Sequence, residues 1–467
     1  MKRLPKDAIE IIRTLKKAGF TAYAVGGSVR DIIMDRPTRG WDFASSATPE
    51  QILALFTDSF YDNQFGTVGV KIKEKGLSAQ AGKRKKEKEE AKTTDVYEIT
   101  TFRSERGYAD HRHPDTVSWG KTIEEDLSRR DFTINAIAYD GTDFVDPYDG
   151  RKDLENKAIR AVGNADDRFA EDALRMMRAV RIAAELGFTI EDTTRDAIIK
   201  NAQLLSEISK ERIRDEFMKL MGAVFAADGI LILKNTGILA FILPEFEPAF
   251  ETPQKSPKRH HIYDVGTHSV MALKNAPTTD PIVRFATLIH DIGKPKTYRK
   301  DDYGLITFYN HEVVGARIAR VITERLRFSK KQTEKIITLI RWHQFSVDER
   351  QTDTAIRRFI RRVGKENLDE MLALRIGDRL GGGARETSWR LELFKNRLID
   401  VQKQPFTVAD LTIDGHDVMK EYACQPGPLV GKVLNALFAE VEKGTLANER
   451  EALILRMKEL KNVEIGK

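Results

Sequence analysis

The chain has 467 residues, of which 41% are hydrophobic and 32% charged, and its formal net charge is +6. At roughly 150 residues per domain, this length predicts about three domains with cores of their own. No apolar stretch approaches the ~18 residues of a membrane-spanning helix, and the start Met1-Lys2-Arg3-Leu4 lacks the apolar core of a signal peptide. We therefore expect no membrane association and a cytoplasmic location, with a slight basic excess that permits nucleic-acid binding.

A glycine turn follows the first apolar run, Tyr23-Ala24-Val25, which predicts a strand. Gly26 and Gly27 allow a tight turn, and Ser28 is predicted to cap a helix whose free N–H groups face an anion. This pattern is typical of a phosphate-binding turn.

A strand that follows the turn carries Asp42. Two carboxylates spaced i and i+2 on a strand would share one face and could hold two divalent cations against a triphosphate. Only Asp42 is present, because the residue two before it is Gly40.

Short β-rich runs at residues 66–72, 96–102 and 133–139 predict a small mixed α/β domain. A charged segment at residues 75–94 interrupts it, and we interpret this segment as a solvated hairpin extension rather than an RNA-binding arm. From Glu171 onward apolar residues recur every three or four positions, which predicts helices to the end of the chain.

Charged residues in this α/β domain suit a nucleotide site. Glu98 lies on an alternating strand, where it could face the cleft of Asp42 or remain a surface glutamate. Arg129 and Arg130 adjoin acidic and amide side chains, and they suit a triphosphate and a ribose better than a core.

Asp172 and Arg175 are three residues apart, a spacing that predicts two side chains on one helix face. Taken alone, this pair is more often an ordinary helical ion pair that contributes little to stability.

Taken together, these residues resemble the class II tRNA nucleotidyltransferase family, which comprises the CCA-adding enzymes and related bacterial poly(A) polymerases. Four blocks match in order, and residues 209–216 resemble the last neck motif of the family. The blocks are Gly26-Gly27-Ser28-Val29-Arg30-Asp31 with Gly40-Trp41-Asp42, Glu98-Ile99-Thr100-Thr101-Phe102-Arg103, Arg129-Arg130-Asp131-Phe132-Thr133-Ile134-Asn135, and Glu171-Asp172-Ala173-Leu174-Arg175 with Arg178.

The resemblance implies an α+β fold with a polymerase-β-like nucleotidyltransferase head, a mixed sheet with helices, at residues 1–145. An all-α neck at residues 146–225, an HD-type body at 226–380 and a tRNA-binding tail at 381–467 would follow. The basic residues between 385 and 403 would grip the tRNA backbone.

The resemblance also implies an activity, the template-independent addition of C and A nucleotides to the 3′ end of tRNA. CTP and ATP would be the substrates, Mg²⁺ the cofactor of the head and pyrophosphate a product. The loop at residues 103–115 resembles the loop that family members use to switch to ATP. A poly(A) polymerase remains an alternative, and the oligomeric state stays open.

Site residues follow from the same motifs. Asp42 and Glu98 would be the catalytic metal ligands, and Asp172 and Arg175 would select the base. The implied nucleotide-binding residues are Gly26, Gly27, Ser28, Arg30, Arg129, Arg130, Asp131, Asn135, Asp172, Arg175 and Arg178. The family pattern has aspartate where this chain has Gly40, which removes one ligand of the catalytic metal.

A second set of residues resembles the HD phosphohydrolase superfamily, because histidines surround a His-Asp dyad. The resemblance implies a divalent metal bound by His268, His290, Asp291 and Asp378, and a second one bound by His311 and His343. Lys294, just after the dyad, could contact a phosphate. The alternatives to nucleotide addition are therefore an HD phosphohydrolase acting on nucleotides or RNA ends, and a non-catalytic RNA-binding protein.

Overall fold

The structure is a computed structural model that describes residues 4–38, 40–63, 66–71, 96–106, 116–254, 263–345, 348–402 and 408–465. The chain forms two compact units: unit 1 is Met1–Glu247 with Ile322–Phe328, and unit 2 is Pro248–Val321 with Ser329–Lys467. The charged segment at residues 75–94 and most of the loop at 103–115 lie outside the described residues. The four-part division stays a prediction. Within the described ranges, no helix is both long and apolar enough to cross a membrane.

Unit 1 begins with a mixed sheet. Its strands and an adjacent hairpin are β1 (Ala22–Val25), β2 (Asp42–Ser45), β3 (Ser59–Asn63), β4 (Thr67–Lys71), β5 (Val96–Thr101), β6 (Arg103–Arg106), β7 (Thr116–Trp119), β8 (Ala138–Tyr139) and β9 (Phe144–Val145). In the described residues, seven strands pair in the order β3-β4-β5-β2-β1-β8-β9, and β6 pairs with β7. β2 and β5 are parallel, while β1 is antiparallel to β2 and β8.

The strands β4 and β5 confirm two predicted runs, and β5 alternates as expected. Tyr97 and Ile99 are buried while Glu98 is exposed. The predicted β-rich run at residues 133–139 holds only at its end, because Thr133–Asn135 forms a 3₁₀ turn and the strand begins at Ala138. The Thr133 hydroxyl donates to Asp153 at 2.5 Å, a contact that holds the turn.

Helices form the rest of unit 1. They are α1 (Lys6–Lys17), α2 (Gly27–Ile33), α3 (Pro49–Leu55), α4 (Ile123–Ser128), α5 (Gly150–Glu155), α6 (Ala165–Glu171), α7 (Leu174–Leu186), α8 (Asp192–Asn201), α9 (Lys210–Met221), α10 (Ala226–Asn235) and α11 (Leu239–Ile242), with short strands β10 (Ala158–Ile159) and β11 (Thr189–Ile190). The predicted apolar face of α7 is confirmed, since Met177, Val180 and Ala184 are buried. α7 packs against α9 and α10.

Unit 2 is helical in the described residues apart from one small hairpin. Its elements are α12 (Val265–Asn275), α13 (Pro281–Leu288), α14 (Lys294–Thr297), β12 (Arg299–Lys300), β13 (Ile306–Thr307), α15 (His311–Arg325), α16 (Lys330–Trp342), α17 (Asp353–Val363), α18 (Leu368–Gly381), α19 (Trp389–Gln402), α20 (Gly415–Tyr422), α21 (Pro428–Glu442) and α22 (Arg450–Ile465). The last residues of α15, from Ile322, belong to unit 1.

The helix starts of unit 2 follow from local sequence. Asp264, Asp280 and Ser329 each accept a hydrogen bond from a backbone N–H of the first turn, and Pro281 occupies a position where no N–H is needed. The predicted α+β fold class, with a mixed sheet followed by helices, is confirmed.

Candidate active site and metal centre

Asp42 and Glu98 point to the same face of the sheet in unit 1. Asp42 is the first residue of β2, and the parallel pairing of β2 with β5 places it directly opposite Glu98. Because paired residues of neighbouring strands project to one face, both exposed carboxylates lie side by side on that face. Partial burial raises the pKa of Asp42, and the positive charge of Arg130 opposes this shift. The predicted shared face is confirmed, and the role in metal binding stays a prediction.

The glycine turn brings Arg130 next to Asp42. Gly26 has φ +77°, and a Cβ there would lie 3.1 Å from Nη1 of Arg130 and 3.6 Å from Oδ2 of Asp42. A side chain at this position would therefore be strained and would crowd both charged groups. The turn joins the end of β1 to α2, and β1 is the antiparallel neighbour of β2.

Ser28 does not cap α2, so this part of the prediction is wrong. Gly26 occupies the N-cap position, and Ser28 lies inside the helix, where its hydroxyl donates to the carbonyl of Val25 at 3.0 Å. The hydroxyl therefore ties the helix to the end of β1 instead of satisfying a helix N–H group.

Gly40, two residues before Asp42, has open space around its Cα. A Cβ built on this residue meets no atom within 4 Å, and its φ is not in the positive range that only glycine adopts readily. The backbone therefore accommodates a larger residue, including the aspartate of the family pattern.

A buried carboxylate that sequence reasoning missed holds both arginines of the third block. Asp126 is fully buried; Arg129 donates to its Oδ1 at 2.6 Å and Arg130 to its Oδ2 at 3.0 Å. Burial acts to raise the pKa of Asp126, but the two guanidinium groups outweigh it and lower that pKa. The signal was present in the spacing, since Asp126 precedes the arginines by three and four residues.

A hydrogen-bonded chain links α2 to α7. Arg30 donates from Nη1 to Asn135 at 3.0 Å and pairs through Nη2 with Asp31 at 2.9 Å. Asn135 donates to Asp131 at 3.2 Å, and Arg178 donates to Asp131 at 2.9 and 2.6 Å. Four of the residues predicted to bind nucleotide are therefore brought together and hold one another in place.

The prediction that Asp172 and Arg175 share a helix face is wrong. Asp172 is extended, with φ −146° and ψ 101°, and it separates α6 from α7. Its Oδ1 accepts a hydrogen bond from the N–H of Leu174 at 3.1 Å, so the aspartate interrupts the helix and helps to restart it.

Asp172 and Arg175 also pair with other residues. Oδ2 of Asp172 accepts from Arg212 of α9 at 2.8 Å. Arg175 donates to Glu171 at 2.5 Å and to the carbonyl of Arg129 at 3.1 Å. Sequence reasoning missed the contributions of Glu171 and Arg212, although both lie inside the quoted motifs.

The HD residues of unit 2 form one buried cluster around Asp291. Its Oδ2 lies 3.5 Å from Nε2 of His268 and 3.2 Å from Nε2 of His290. Its Oδ1 lies 3.2 Å from Nε2 of His311 and 3.6 Å from Nε2 of His343. Asp378 completes the cluster, with Oδ1 at 3.2 Å from His268 and 3.6 Å from His290. The six predicted residues therefore converge.

Two overlapping groups in this cluster have ligand atoms close enough together to hold a metal ion. One is His268, His290 and Asp378, and the other is His290, Asp291 and His343. The predicted helical placement holds for His268, His311 and Asp378, while His290, Asp291 and His343 lie just beyond helix ends.

The histidine rings are oriented as metal ligands require. Nδ1 of His290, His311 and His343 lies 2.7, 2.8 and 2.7 Å from a backbone carbonyl, so each ring turns Nε2 toward Asp291. Such a contact fixes the tautomer that leaves Nε2 as the donor to a metal. The donor set of imidazole and carboxylate suits a divalent transition metal or zinc.

The charged groups of the cluster shift one another's pKa values. Burial acts to lower the pKa of His290, but the neighbouring carboxylates, above all Asp291, raise it to about 10. Burial acts to raise the pKa of Asp291, yet His290 and Lys294 hold it well below its usual range. The carboxylates thus stabilise positive charge on the neighbouring imidazole, and the same negative charge would stabilise a bound cation.

Three glycines allow the helices and turns that contain the cluster residues to pack closely against one another. A Cβ on Gly377 would lie 2.7 Å from the carbonyl oxygen of Ala272, and one on Gly381 would lie 2.6 Å from the nitrogen of Ala272. α18 therefore packs backbone to backbone on α12, which places Asp378 beside His268. A Cβ on Gly293 would meet the carbonyl oxygen of His311 at 2.1 Å, so this glycine admits His311 next to the dyad.

Basic residues of the predicted tail are largely paired within unit 2. Arg390 contacts Glu349 at 2.8 Å, Arg397 contacts Asp353 at 2.6 Å, and Lys395 contacts Glu392 at 2.9 Å. Their role in tRNA binding stays a prediction.

Three family descriptions match successive parts of the chain. Residues 22–160 match the Poly A polymerase head domain, residues 187–250 match the "Probable RNA and SrmB- binding site of polymerase A", and residues 307–456 match tRNA nucleotidyltransferase domain 2. The HD assignment has no such match among these and stays a prediction.

Curated relatives are named CCA-adding enzyme. The protein of Geobacillus stearothermophilus is 43% identical over 240 residues, which are 51% of this chain and 54% of that protein, so the match spans about half of the relative's length. The protein of Latilactobacillus sakei subsp. sakei is 34% identical over 451 residues, 96% of each chain. The protein of Streptococcus thermophilus is 31% identical over 460 residues, 98% of each chain.

A solved structure of the Bacillus stearothermophilus CCA-adding enzyme in complex with CTP matches all of both chains, with 28% identity and a TM-score of 0.70. The Thermotoga maritima CCA-adding enzyme complexed with tRNA shares the fold, at a TM-score of 0.60 and 16% identity, over 97% of this chain and 96% of that chain. The sheet that pairs Asp42 with Glu98, the ordered motif blocks and the nearly full-length relatives agree, and the chain belongs to the CCA-adding enzyme family.

Proposed function

We propose that this protein adds C and A nucleotides to the 3′ end of tRNA, from CTP and ATP, without a nucleic-acid template and with release of pyrophosphate. The observation that carries this proposal is the pairing of Asp42 with Glu98 on one sheet face, with Arg130 beside Asp42. The named relatives and the CTP complex of the Bacillus stearothermophilus enzyme support it.

The pair of carboxylates on this sheet face fits a hard divalent cation. Asp42 and Glu98 offer carboxylate oxygens, the ligands that Mg²⁺ prefers, and they would hold it against the triphosphate. Such a cation neutralises charge on the phosphates during transfer. Arg130 and Arg30 supply positive charge at the same edge, and Asp126 and Asn135 hold these two guanidinium groups in place.

Asp172 and Arg175 are proposed to select the base. A carboxylate accepts from the exocyclic amino group of cytosine or adenine, and a guanidinium donates to ring acceptors. Guanine O6 and uracil O4 would turn a lone pair toward the carboxylate, at a cost of about 1–3 kcal/mol for each lost interaction. Arg175 must exchange its contacts with Glu171 or with the carbonyl of Arg129 to reach a base.

Incubation with tRNA that lacks its terminal CCA tests the proposal directly. In the presence of Mg²⁺, we expect labelled CTP to extend the tRNA by two nucleotides and ATP to add the last one, while GTP and UTP are rejected. The Gly40→Asp protein is assayed in parallel, so that the missing carboxylate does not hide the activity.

Three results would contradict the proposal. Equal use of all four nucleotides contradicts base selection by Asp172 and Arg175, and a long adenylate tail from ATP alone indicates a poly(A) polymerase. No addition by either protein contradicts nucleotide transfer altogether.

A second proposal concerns unit 2, where the convergence of His268, His290, Asp291 and Asp378 favours a divalent-metal site with phosphohydrolase activity. The metal would polarise a phosphate ester, and the chain contributes the buried ligands and the adjacent Lys294. His311 and His343, on the other oxygen of Asp291, extend the donor set.

We expect His290→Ala to remove bound metal. His290 belongs to both candidate ligand groups, so its removal takes a ligand from each of them. Metal content is measured by mass spectrometry after dialysis against Mn²⁺ or Zn²⁺, and hydrolysis is measured with a nucleoside 2′,3′-cyclic phosphate. The exposed His416 lies outside the cluster on α20, and His416→Ala is the matched control. Equal metal content in the wild type and in His290→Ala would contradict the site.

A further inference from the structure

A cavity of about 440 Å³ adjoins the metal cluster in unit 2. This volume falls within the roughly 300–1,000 Å³ of small-molecule sites. The cavity is lined by Asp291, Lys294, Thr307, Phe308, Tyr309, Asn310, His311, Glu312, His343, Gln344, Arg375 and Asp378. A molecule in this cavity would therefore contact both the metal ligands and two cationic side chains.

Lys294 contacts the metal-ligand cluster through Asp291. The side chain is buried, and its ammonium group lies 2.5 Å from Oδ2 of Asp291 and donates to Oε1 of Gln254 at 2.7 Å. The ring of Phe308 lies 5.3 Å from the same ammonium group. Lys294 therefore adds a fixed positive charge to the wall, and it also balances the charge of Asp291.

Arg375 is the second cation of the wall. Its Nη1 donates to Oδ2 of Asp378 at 3.2 Å, while Oδ1 of the same carboxylate faces His268. Its guanidinium group lies 5.5 Å from the centre of the Phe345 ring, which fixes its orientation. Among the described residues, Asp378 is the hydrogen-bond partner of this arginine, and a guanidinium group has further N–H donors for a ligand.

Tyr309 supplies an aromatic surface at the same cavity. Its side chain lines the cavity and is nevertheless 78% exposed. An exposed ring of this kind gains no core packing, but it offers a face on which a base stacks. Asn310 and Gln344 add neutral donors and acceptors to the lining.

We propose that this cavity binds a terminal nucleoside phosphate, with Arg375 contacting the phosphate and Tyr309 stacking on the base. The inference rests on the proposed metal site, which it deepens by naming residues that recognise the substrate. Arginine suits this role because its planar donors match phosphate oxygens, and the metal ligands next to it would place the phosphate at the cluster. A free nucleotide and an RNA end carry the same chemistry.

Equilibrium binding to the full chain tests the inference. All proteins carry Asp42→Ala to weaken nucleotide binding in unit 1, and the probes are inorganic phosphate, adenosine 5′-monophosphate and adenosine. We expect Arg375→Gln, which can still contact Asp378, to weaken binding of phosphate and of the monophosphate about tenfold or more. Arg375→Lys restores part of the affinity. Arg379→Ala is the matched control, because Arg379 lies one turn away on α18 and is not part of the cavity lining.

Tyr309 variants separate the base from the phosphate. Tyr309→Ala is expected to weaken the adenosine monophosphate roughly tenfold and to leave inorganic phosphate unchanged, whereas Tyr309→Phe retains both affinities. A short RNA with a 3′-phosphate is compared with the free nucleotide, and the tighter ligand identifies the source.

Metal content is measured for every variant, so the two proposals fail in different ways. Wild-type protein without bound metal overturns the metal site itself. If Arg375→Gln keeps its full metal content and binds phosphate as tightly as before, the inference is wrong but the metal site stands. The same conclusion follows if the protein holds its metal but binds neither the nucleotide nor the RNA. Unchanged monophosphate affinity in Tyr309→Ala overturns the base contact.

Discussion

Replacement of Gly40 by aspartate is expected to raise the rate of nucleotide addition several-fold or more. The family pattern has a carboxylate two residues before Asp42, and such a carboxylate would complete the ligand set formed by Asp42 and Glu98. The side chain has room, because a Cβ at this residue meets no atom within 4 Å. Single-turnover extension of tRNA with CTP measures the rate.

Two variants separate charge from size in this experiment. Gly40→Ala adds only the Cβ, and Gly40→Asn adds an uncharged side chain of the same shape as aspartate. We expect neither to match the gain of Gly40→Asp. Mn²⁺ affinity, followed by electron paramagnetic resonance, should rise in the aspartate variant alone. An unchanged rate and an unchanged Mn²⁺ affinity in Gly40→Asp would show that the site works without a second carboxylate at this position.

Replacement of Asp131 by alanine is expected to lower the free energy of unfolding of unit 1 by about 1–3 kcal/mol, because Asp131 is buried whereas the side chain of its partner Arg178 stays 39% exposed. Asp131 is buried, accepts two hydrogen bonds from Arg178, and also accepts from Asn135 and from the N–H of Phe132. Removing the carboxylate leaves the guanidinium group without its partner. Denaturant unfolding followed by circular dichroism measures the loss.

An exposed ion pair in the same unit provides the control. Asp192 contacts Arg195 at 2.8 Å on α8, and its side chain is 81% exposed. Asp192→Ala should change the free energy of unfolding by less than about 1 kcal/mol, because solvent screens such pairs. Equal losses from the two variants would contradict a structural role of the pair formed by Asp131 and Arg178.

The stability that Asp131 contributes also depends on pH. Burial acts to raise its pKa, but Arg178 and the hydrogen bonds outweigh this and lower the pKa to about 2. An aspartate in the unfolded chain has a pKa of about 3.9. The contribution is therefore complete above about pH 4 and is lost as the pH falls toward 2, so the wild type and Asp131→Ala should converge in stability at low pH.

The sequence predicted local elements well where one period dominated. The alternation of apolar and polar residues around Glu98 correctly predicted β5. The three- to four-residue spacing of Met177, Val180 and Ala184 correctly predicted the buried face of α7. It failed at Asp172, because a side chain that bonds to the backbone two residues on breaks a helix without changing the apolar pattern.

Residues that position a site side chain through a hydrogen bond or ion pair were harder to predict than residues that belong to a catalytic or metal-binding motif. Asp126 stands at helical spacing from Arg130, and Arg212 lies inside a neck motif, but neither signal identifies the partner. The structure shows that Asp126 pairs with Arg130 and that Arg212 pairs with Asp172. Arg375 is a similar case, since α18 contains several charged residues and only packing shows which of them lines a cavity.

By itself, the sequence determined the family, the fold class and the chemical types at each site, because motif order and apolar periodicity are properties of the chain. Only the tertiary structure decided which of these groups meet. Asp42 reaches Glu98 through the register of two parallel strands distant in sequence. His268 reaches Asp378 because Gly377 and Gly381 let two helices touch along their backbones. Strand register and helix approach depend on packing between distant segments, which local patterns do not specify.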